Sequence, residues 1–185
     1  MFTTPEINTD RLLLKGISPQ FINNLFATQT KEQIMDFLGI ADEIAFNQYK
    51  RMHEKGMETH RLSHFFFLLI EKASQKTIGV CGFHTWNTTH HRAEVFYTLR
   101  NDNYKGKGFM SEALPKVVAY GFNEMNLHRI QALIADWNTP SLKLLQRLNF
   151  VKEGVLRQDY LFNGNYEDSH CYSLLKAEWE NNAKK

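Results

Sequence analysis

The stretch from Asn103 to Glu124 reads NYKGKGFMSEALPKVVAYGFNE and joins a glycine-rich turn directly to a helical pattern. Gly106 and Gly108 can adopt positive φ and let a ligand approach the main chain, and Lys105 and Lys107 add positive charge. The N-terminus of a helix offers unpaired N–H groups and the positive end of the helix dipole. The turn therefore predicts a phosphate or pyrophosphate site, with a mobile surface turn as the alternative for so short a motif.

The segments beside this turn predict strands in an order that excludes two common nucleotide-binding folds. Three predicted strands precede the turn and form an antiparallel meander, whereas a dinucleotide-binding fold starts with a βαβ unit and a third glycine, where this chain has Ser111. The chain also lacks the Gly-x-x-x-x-Gly-Lys-Ser/Thr signature of P-loop proteins. The elements predicted around the turn are strands at Ser63 to Glu71, Thr77 to Trp86 and Arg92 to Arg100, a helix at Gly108 to Met125 and a strand at His128 to Ala135.

The two ends of the chain predict further alternation of strands and helices. Ser18 and Thr30 are typical helix caps, and Asn149 predicts a left-handed helix stop. The elements predicted there are a strand at Asp10 to Lys15, helices after Ser18 and Thr30 and from Ala41 to Lys55, a helix from Pro140 to Leu148 capped by Thr139, a final hairpin of Phe150 to Gln158 and Glu167 to Lys176 around Asn163-Gly164-Asn165, and a frayed tail at Asn181 to Lys185.

Composition indicates one ordinary globular domain. The chain has 185 residues, 43% of them hydrophobic and 23% charged, with a formal net charge of +2, which gives no broad basic field for nucleic acid. Two distant cysteines, Cys81 and Cys171, fit a reducing compartment better than a disulfide scaffold. No signal region is evident, and the apolar run Phe65 to Ile70 is too short to span a bilayer. We therefore expect a soluble cytoplasmic protein without membrane or nucleic-acid partners.

Several short motifs in a fixed order give the chain its family resemblance. Together they resemble the GNAT superfamily of acetyl-CoA-dependent N-acetyltransferases, and within it the RimJ and RimL branch of ribosomal-protein N-terminal acetyltransferases. Each motif alone is weak, but the series covers nearly the whole chain. The matched motifs are Thr9-Asp10-Arg11-Leu12-Leu13-Leu14, Ala93-Glu94-Val95-Phe96-Tyr97, Gly106-Lys107-Gly108 with Glu112-Ala113-Leu114, Asn138 with Ser141 and Phe150, and Tyr172 to Leu175 with Glu178-Trp179.

The resemblance implies a fold, an activity and partners. The implied fold is a single α/β (α+β) GNAT domain over residues 1–185, with a mixed, mostly antiparallel sheet splayed at the cofactor site and flanked by helices. The implied activity is acetyl transfer from acetyl-CoA to a primary amine, first of all the N-terminal amine of a ribosomal protein. A small-molecule amine acceptor and a non-catalytic acyl-CoA-binding module remain as alternatives. A homodimer is possible in this family.

The resemblance also assigns residues to coenzyme A. The turn from Lys105 to Met110 would offer N–H groups to the pyrophosphate, and the exposed edge of Phe96 to Leu99 would pair with the pantetheine arm as an added strand does. Asn138 would face that arm, and Ser141 would lie near the sulfur. The residues assigned to the cofactor are Phe96, Tyr97, Thr98, Leu99, Lys105, Gly106, Lys107, Gly108, Phe109, Met110, Asn138 and Ser141.

The implied chemistry is direct attack of a neutral amine on the thioester, which needs a proton acceptor and a donor to the departing sulfur. Ser141 is the implied donor, because the resembling RimJ and RimL branch uses a serine at this position. Many other GNAT members have a tyrosine one turn later, where this chain has Leu145, so the tyrosine version of the mechanism is excluded. Glu94 and Asp159 are equal candidates for the base, with a water-relayed base as a third possibility. Glu94 could instead be a structural residue packed on the N-terminal helices, and Asp159 would need a bulge to re-aim it, because strand neighbours point to opposite faces.

Histidines and aromatic residues complete the list of candidates. His84, His90 and His91 lack the cysteine or carboxylate spacing of a metal site, so we expect no metal. Most aromatic residues are expected in the core, but Trp86 and Tyr160 could line an acceptor pocket.

Overall fold

The computed structural model describes residues 4–56, 58–59 and 62–182. Over these residues eight strands form one sheet, and helices cover both of its faces. The strands are β1 (Glu6–Asn8), β2 (Leu12–Ile17), β3 (Ser63–Glu71), β4 (Lys76–Asn87), β5 (Arg92–Leu99), β6 (Arg129–Ile134), β7 (Val151–Phe162) and β8 (Asn165–Leu175). The helices are α1 (Pro19–Thr28), α2 (Lys31–Leu38), α3 (Glu43–Lys55), α4 (Phe109–Asn123), α5 (Thr139–Arg147) and α6 (Lys176–Asn182), with a 3-10 turn at Asp102–Tyr104.

The sheet is mixed and mostly antiparallel, as predicted. Its strand order is β1-β2-β3-β4-β5-β6-β8-β7. Every neighbouring pair is antiparallel except β5 and β6, which run parallel because helix α4 connects them. The meander β3-β4-β5 ahead of the glycine turn is therefore confirmed.

The two parallel strands separate after a short contact. Strands β5 and β6 pair at Arg92 with Arg129, at Ala93 with Ile130 and at Glu94 with Gln131. Beyond Glu94, strand β5 continues to Leu99 beside β4. The predicted splay is thus present, and from Val95 onward no strand of the described residues pairs with this edge of β5.

Helix α4 packs along one face of the sheet and forms the centre of the larger hydrophobic core. Gly121 brings the helix very close to β4, because a Cβ at that position would lie 2.7 Å from Phe83 Cζ. The helix continues through Pro115, which cannot donate a hydrogen bond to the Ser111 carbonyl. Its fully buried side chains are those of Ala113, Leu114, Val117, Val118 and Phe122.

Helices α1 to α3 cover the opposite face over a second apolar cluster that includes Ile22, Leu38 and Phe66. The predicted caps at Ser18 and Thr30 are confirmed, and Thr30 forms a full capping box with Gln33. The third helix begins later than the predicted Ala41, because the Asp42 side chain accepts the Ala45 N–H and caps it.

The C-terminal third differs from the prediction in three places. The cap of α5 is Asn138 rather than Thr139, which is the first helical residue. The hairpin strands extend to Phe162 and from Asn165, so the turn has only Asn163 and Gly164, both with positive φ as a tight hairpin requires. Helix α6 occupies the segment where a strand end and a frayed tail were predicted, and residues 183–185 lie outside the described residues.

Other features agree with the sequence. Asn149 has a φ of 61° and ends α5 as predicted. Among the residues that the structure describes, no helix is both long enough and apolar enough to cross a membrane.

An ion pair spans strand β8 and ties β6 to β7. Arg129 donates two hydrogen bonds to Glu153, at 2.6 Å from Nη1 to Oε1 and 2.5 Å from Nη2 to Oε2, and Ser173 Oγ donates to Glu153 at 2.8 Å. The hydrogen bonds from Arg129, followed by that from Ser173, lower the pKa of Glu153 to about 2. Charged hydrogen bonds of this bidentate kind are the stronger ones in proteins.

We expect Glu153→Gln to reduce the dependence of the unfolding free energy on pH in the acid range. The folded-state pKa of Glu153 is about 2, below its ordinary 4.5, so its contribution is present above pH about 4.5 and is lost as the pH falls toward 2. Denaturant unfolding at several pH values should show a smaller loss of unfolding free energy between pH 5 and 3 in the variant than in the wild type. Glu180→Gln, which changes an exposed carboxylate on α6, should keep the wild-type slope; a wild-type slope in Glu153→Gln would contradict the prediction.

Candidate functional site

The glycine turn adopts the predicted conformation. Gly106 and Gly108 have φ values of 72° and 81°, and Gly108 is the N-cap of α4; among the described residues, no side chain forms a hydrogen bond at that cap. A Cβ at Gly106 would meet no atom of the described residues within 4 Å, so the space beside this residue is open to them. An uncapped helix N-terminus next to open space can receive an anion.

The side chains of the turn differ in what they can offer. Lys105 is engaged with Asp102 at 2.6 Å between Nζ and Oδ1, so its charge is partly balanced, whereas Lys107 is exposed. Phe109 and Met110 are 5% and 8% exposed and pack into the core. At these two positions only the main chain can face a ligand.

The open edge of β5 lies across the splay from the start of α5. Side chains alternate along this edge: Tyr97 and Leu99 pack with the α4 core, whereas Phe96 packs with the core under α1 to α3. Thr98 is exposed. Because β6 has turned away, the main chain from Phe96 to Leu99 can accept an extended ligand as an additional strand.

The splay brings Ser141 and Tyr97 together from its two arms. Ser141 is buried in the first turn of α5, where its N–H donates to Asn138 Oδ1 at 3.2 Å. The amide oxygen of Asn138 is thus used as a helix cap, a role predicted for Thr139. Burial raises the pKa of the Tyr97 hydroxyl and the neighbouring Ser141 side chain partly lowers it, although the two groups make no hydrogen bond of good geometry.

Leu145 is fully buried in the core one turn after Ser141. This position therefore offers no hydroxyl to the open splay.

Glu94 lies at the point where β5 and β6 diverge, and its side chain is 16% exposed. Gln131 Nε2 donates to its Oε2 at 3.3 Å, and His84 Nε2 lies 3.5 Å from its Oε1. These polar contacts come from β6 and β4, not from the N-terminal helices considered above. A carboxylate of limited exposure at the base of an open cleft is a suitable proton acceptor.

Asp159 lies in the irregular part of the β7–β8 hairpin and is exposed. The bulge that would be needed to re-aim it is present, because the register shifts between Leu156 and Tyr160 and Gln158 has a φ of 52°. The hydroxyl shielded from solvent at this bulge is that of Tyr160. Asp159 itself remains on the solvent side.

Tyr160 lies close to the segment that leads into α5. Burial raises the pKa of the Tyr160 hydroxyl, and the negative charges of Glu167 and Asp136 raise it further. The nearby Trp137 side chain acts in the opposite direction and lowers this pKa. Trp137 is 55% exposed and packs against Phe162, with 5.5 Å between ring centroids. An exposed aromatic surface therefore borders the start of the helix that carries Ser141.

Two other sequence candidates have different surroundings. Trp86 packs against the core on the α4 side. His84 contacts Glu94, and within the described residues no group of three or more His, Cys, Asp and Glu side chains has a metal-binding arrangement.

Sequence reasoning missed a network that holds the glycine turn. Glu112, in the first turn of α4, accepts hydrogen bonds from Thr9 Oγ1 at 2.5 Å, from the Arg11 main-chain N–H at 2.7 Å and from Arg11 Nε at 2.7 Å. Arg11 Nη1 also donates to the Lys107 carbonyl at 2.9 Å. Thr9, Arg11 and Glu112 all lie in the motifs that carry the family resemblance, but Thr9 and Arg11 are 103 and 101 residues from Glu112, so the sequence gives no signal of contact.

Comparison with known proteins identifies the family. A family model described as "Acetyltransferase (GNAT) domain" matches residues 11–151. The chain is 34% identical to the uncharacterized N-acetyltransferase YoaA of Bacillus subtilis over 93% of this chain and 97% of that protein. It is 45% identical to the uncharacterized N-acetyltransferase p20 of Bacillus licheniformis, over 61% of this chain and 63% of p20.

Two further similarities concern proteins with named substrates. The chain is 31% identical, over 63% of its length and 60% of the other protein, to the Escherichia coli enzyme named [ribosomal protein uS5]-alanine N-acetyltransferase. Its fold is similar to that of mutant spermidine/spermine N-acetyltransferase SpeG from Vibrio cholerae, with a TM-score of 0.71, 21% identity, and coverage of 95% of this chain and 99% of that one. With the family match over most of its length, the chain belongs to the GNAT acetyltransferase family and is an N-acetyltransferase.

Proposed function

We propose that the protein transfers the acetyl group of acetyl-CoA to the N-terminal amine of a protein, such as a ribosomal protein. The observation that carries this choice is the exposed aromatic surface of Trp137 and Phe162 beside the helix that bears Ser141. Exposed apolar surface at a binding site favours an acceptor that presents side chains next to its amine, as a peptide does. The similarity to the Escherichia coli ribosomal-protein enzyme supports the same acceptor class.

A small polyamine is the second candidate acceptor. Asp136 and Glu167 both raise the pKa of the Tyr160 hydroxyl through their negative charge. Negative charge therefore lies near the same aromatic surface and could attract a cationic chain. The fold similarity to a spermidine/spermine acetyltransferase is compatible with this alternative.

In the proposed complex, coenzyme A uses the features of the splay. The pyrophosphate lies on the uncapped N-terminus of α4, at the main-chain N–H groups of the turn from Lys105 to Met110. The pantetheine arm runs along the open edge of Phe96 to Leu99. A main-chain N–H of β5 would then face the thioester oxygen, where it stabilises the charge that develops during attack.

The proposed reaction uses Glu94, at the last paired position of β5, and Ser141, in the first turn of α5. The amine nitrogen forms a bond with the carbonyl carbon, the carbon–sulfur bond breaks, and Glu94 takes the proton that the amine loses. The Ser141 hydroxyl donates a hydrogen bond to the departing thiolate, which takes its proton from solvent. We favour Glu94 over Asp159 because Glu94 is partly buried where the strands diverge, whereas Asp159 is exposed.

An acceptor panel tests this function. Thiol release from acetyl-CoA would be measured with peptides that carry ribosomal-protein N-termini, with spermidine and with matched N-acetylated peptides as blanks. Peptide turnover above spermidine turnover supports the proposal. The reverse order would support the polyamine alternative, and retained coenzyme A binding without turnover on any amine would support a non-catalytic module.

We expect Ser141→Ala to lower kcat by about 10- to 100-fold, because a hydrogen bond to a charged group contributes about 1.5–3 kcal/mol. Binding of coenzyme A, measured by calorimetry, should change little, since most of the proposed contacts lie elsewhere. Ser169→Ala removes another buried hydroxyl, on β8, and should keep the wild-type kcat. An unchanged kcat in Ser141→Ala would exclude Ser141 as the donor.

A further inference from the structure

We infer that Arg11 is a positioning residue for acetyl-CoA, which holds the glycine turn in the conformation that receives the pyrophosphate. The inference rests on the proposed placement of the pyrophosphate at the N-terminus of α4. Arg11 lies in the short connection between β1 and β2, far in sequence from the turn. Its side chain is 46% exposed and is attached to both the turn and the helix.

The Arg11 guanidinium makes three contacts around the turn. Nε pairs with Glu112 Oε2 at 2.7 Å, and Nη1 donates to the Lys107 carbonyl at 2.9 Å. The Cζ atom lies 4.6 Å from the centre of the Phe109 ring. The planar fork of an arginine suits this combination, because its donors have fixed relative directions.

The contact with Lys107 controls the peptide unit that joins it to Gly108. In a trans peptide the carbonyl oxygen and the following N–H point in opposite directions. With the Lys107 carbonyl held toward Arg11, the Gly108 N–H points away from Arg11, on the opposite side of this peptide. Glycine accepts either sign of φ with little cost, so without Arg11 this peptide can rotate and lose its direction.

We call the contacts of Arg11 with Glu112 and with the Lys107 carbonyl the clamp. Its acceptor on α4, Glu112, is also bound by Thr9 and by the Arg11 main chain. Burial tends to raise the pKa of Glu112, but hydrogen bonds from Thr9 and Arg11 outweigh it and lower the pKa, so the carboxylate is charged at neutral pH. Lys72 Nζ donates to the Thr9 carbonyl at 2.6 Å, and Leu12, which directly follows Arg11, is fully buried. The clamp therefore transfers the rigidity of the sheet to the turn.

The expected energetic effect lies in ligand binding rather than in folding. Arg11 is 46% exposed, and an ion pair with a solvent-exposed partner contributes little to stability. If loss of the clamp reduces the binding-competent population of the turn to a tenth, the apparent affinity for a ligand that uses the turn falls by about 10-fold. A ligand without a pyrophosphate should be insensitive to this change.

The test compares two thioesters that differ in this respect, acetyl-CoA and S-acetylpantetheine. For Arg11→Gln and Arg11→Lys we expect the KM for acetyl-CoA to rise by about 10-fold or more, with kcat at saturation within about 2-fold of the wild type. The kcat/KM for S-acetylpantetheine should stay at the wild-type value. Glu112→Gln should act in the same direction and not additively with Arg11→Gln, and Arg51→Gln, which removes an exposed charge on α3, should match the wild type.

Calorimetry with coenzyme A and with pantetheine gives the same comparison without turnover, so a failure of the proposed reaction leaves the inference testable. Equal losses for both ligands, or a lowered thermal midpoint that explains the loss, would overturn it. Unchanged coenzyme A affinity in Arg11→Gln would overturn it as well. Full rescue by Arg11→Lys would show that charge alone matters and would also exclude a positioning role.

Discussion

Gly106→Glu is expected to reduce the affinity for acetyl-CoA by at least about 100-fold, because like charges brought together in a binding site cost several kcal/mol. The new carboxylate would enter the open space beside the turn, where no atom lies within 4 Å of the added Cβ. That space adjoins the uncapped N-terminus of α4, where we place the pyrophosphate. Calorimetric titration with coenzyme A measures the change directly.

The matched control is Gly106→Gln, which has nearly the same shape and no charge. Both variants place an L-residue at a φ of 72°, so both carry the same left-handed strain of about 1–2 kcal/mol. The difference in affinity between them therefore isolates the charge. Equal affinities in the two variants would show that the pyrophosphate lies elsewhere.

Glu94→Gln is expected to lower kcat by about 10²- to 10⁴-fold, the range that general base catalysis contributes. Glutamine keeps the size of the side chain and can still accept a hydrogen bond from Gln131, which now lies 3.3 Å from Glu94 Oε2. It cannot take a proton from the attacking amine. Steady-state rates with saturating acetyl-CoA measure the loss, and calorimetry should give an unchanged affinity for coenzyme A.

Asp159→Asn is the comparison that separates the two candidate bases. Asp159 is exposed on β7, so its replacement should leave kcat within about 2-fold of the wild type, as expected for a surface position outside the reaction centre. A large loss in Asp159→Asn with a near-normal Glu94→Gln would reverse the assignment. Small effects in both would favour a base relayed through water.

Local sequence patterns were sufficient for much of the architecture. The caps at Ser18 and Thr30 and the positive φ of Gly106 each depend on residues a few positions apart. The cap of α5 was wrong by one residue, because Asn138 and Thr139 are both good capping residues and only the geometry of the turn selects the asparagine. Helix α6 was missed because its few residues follow a strand without a break.

The residues of the candidate site were predictable only where they belong to a motif of the resembling family. The splay was expected from the family resemblance, and the register confirms it. The surroundings of Glu94 were not predictable, since His84 and Gln131 reach it from two other strands. The clamp on the turn was missed for the same reason: Arg11 and Glu112 are adjacent only once the sheet and α4 have packed together.

The short parallel pairing of β5 with β6 creates a trade-off between the stability of the sheet and ligand binding. Within the described part of the chain, three paired positions of the β5–β6 ladder connect the five strands on one side of the sheet to the three on the other. Lengthening that seam would add hydrogen bonds at the centre of the sheet, but it would also fill the cleft that an extended ligand needs. Mutations selected only for a higher thermal midpoint should therefore tend to extend the pairing of β5 with β6 and narrow the cleft. The gap between these strands lowers stability, but ligand binding requires it.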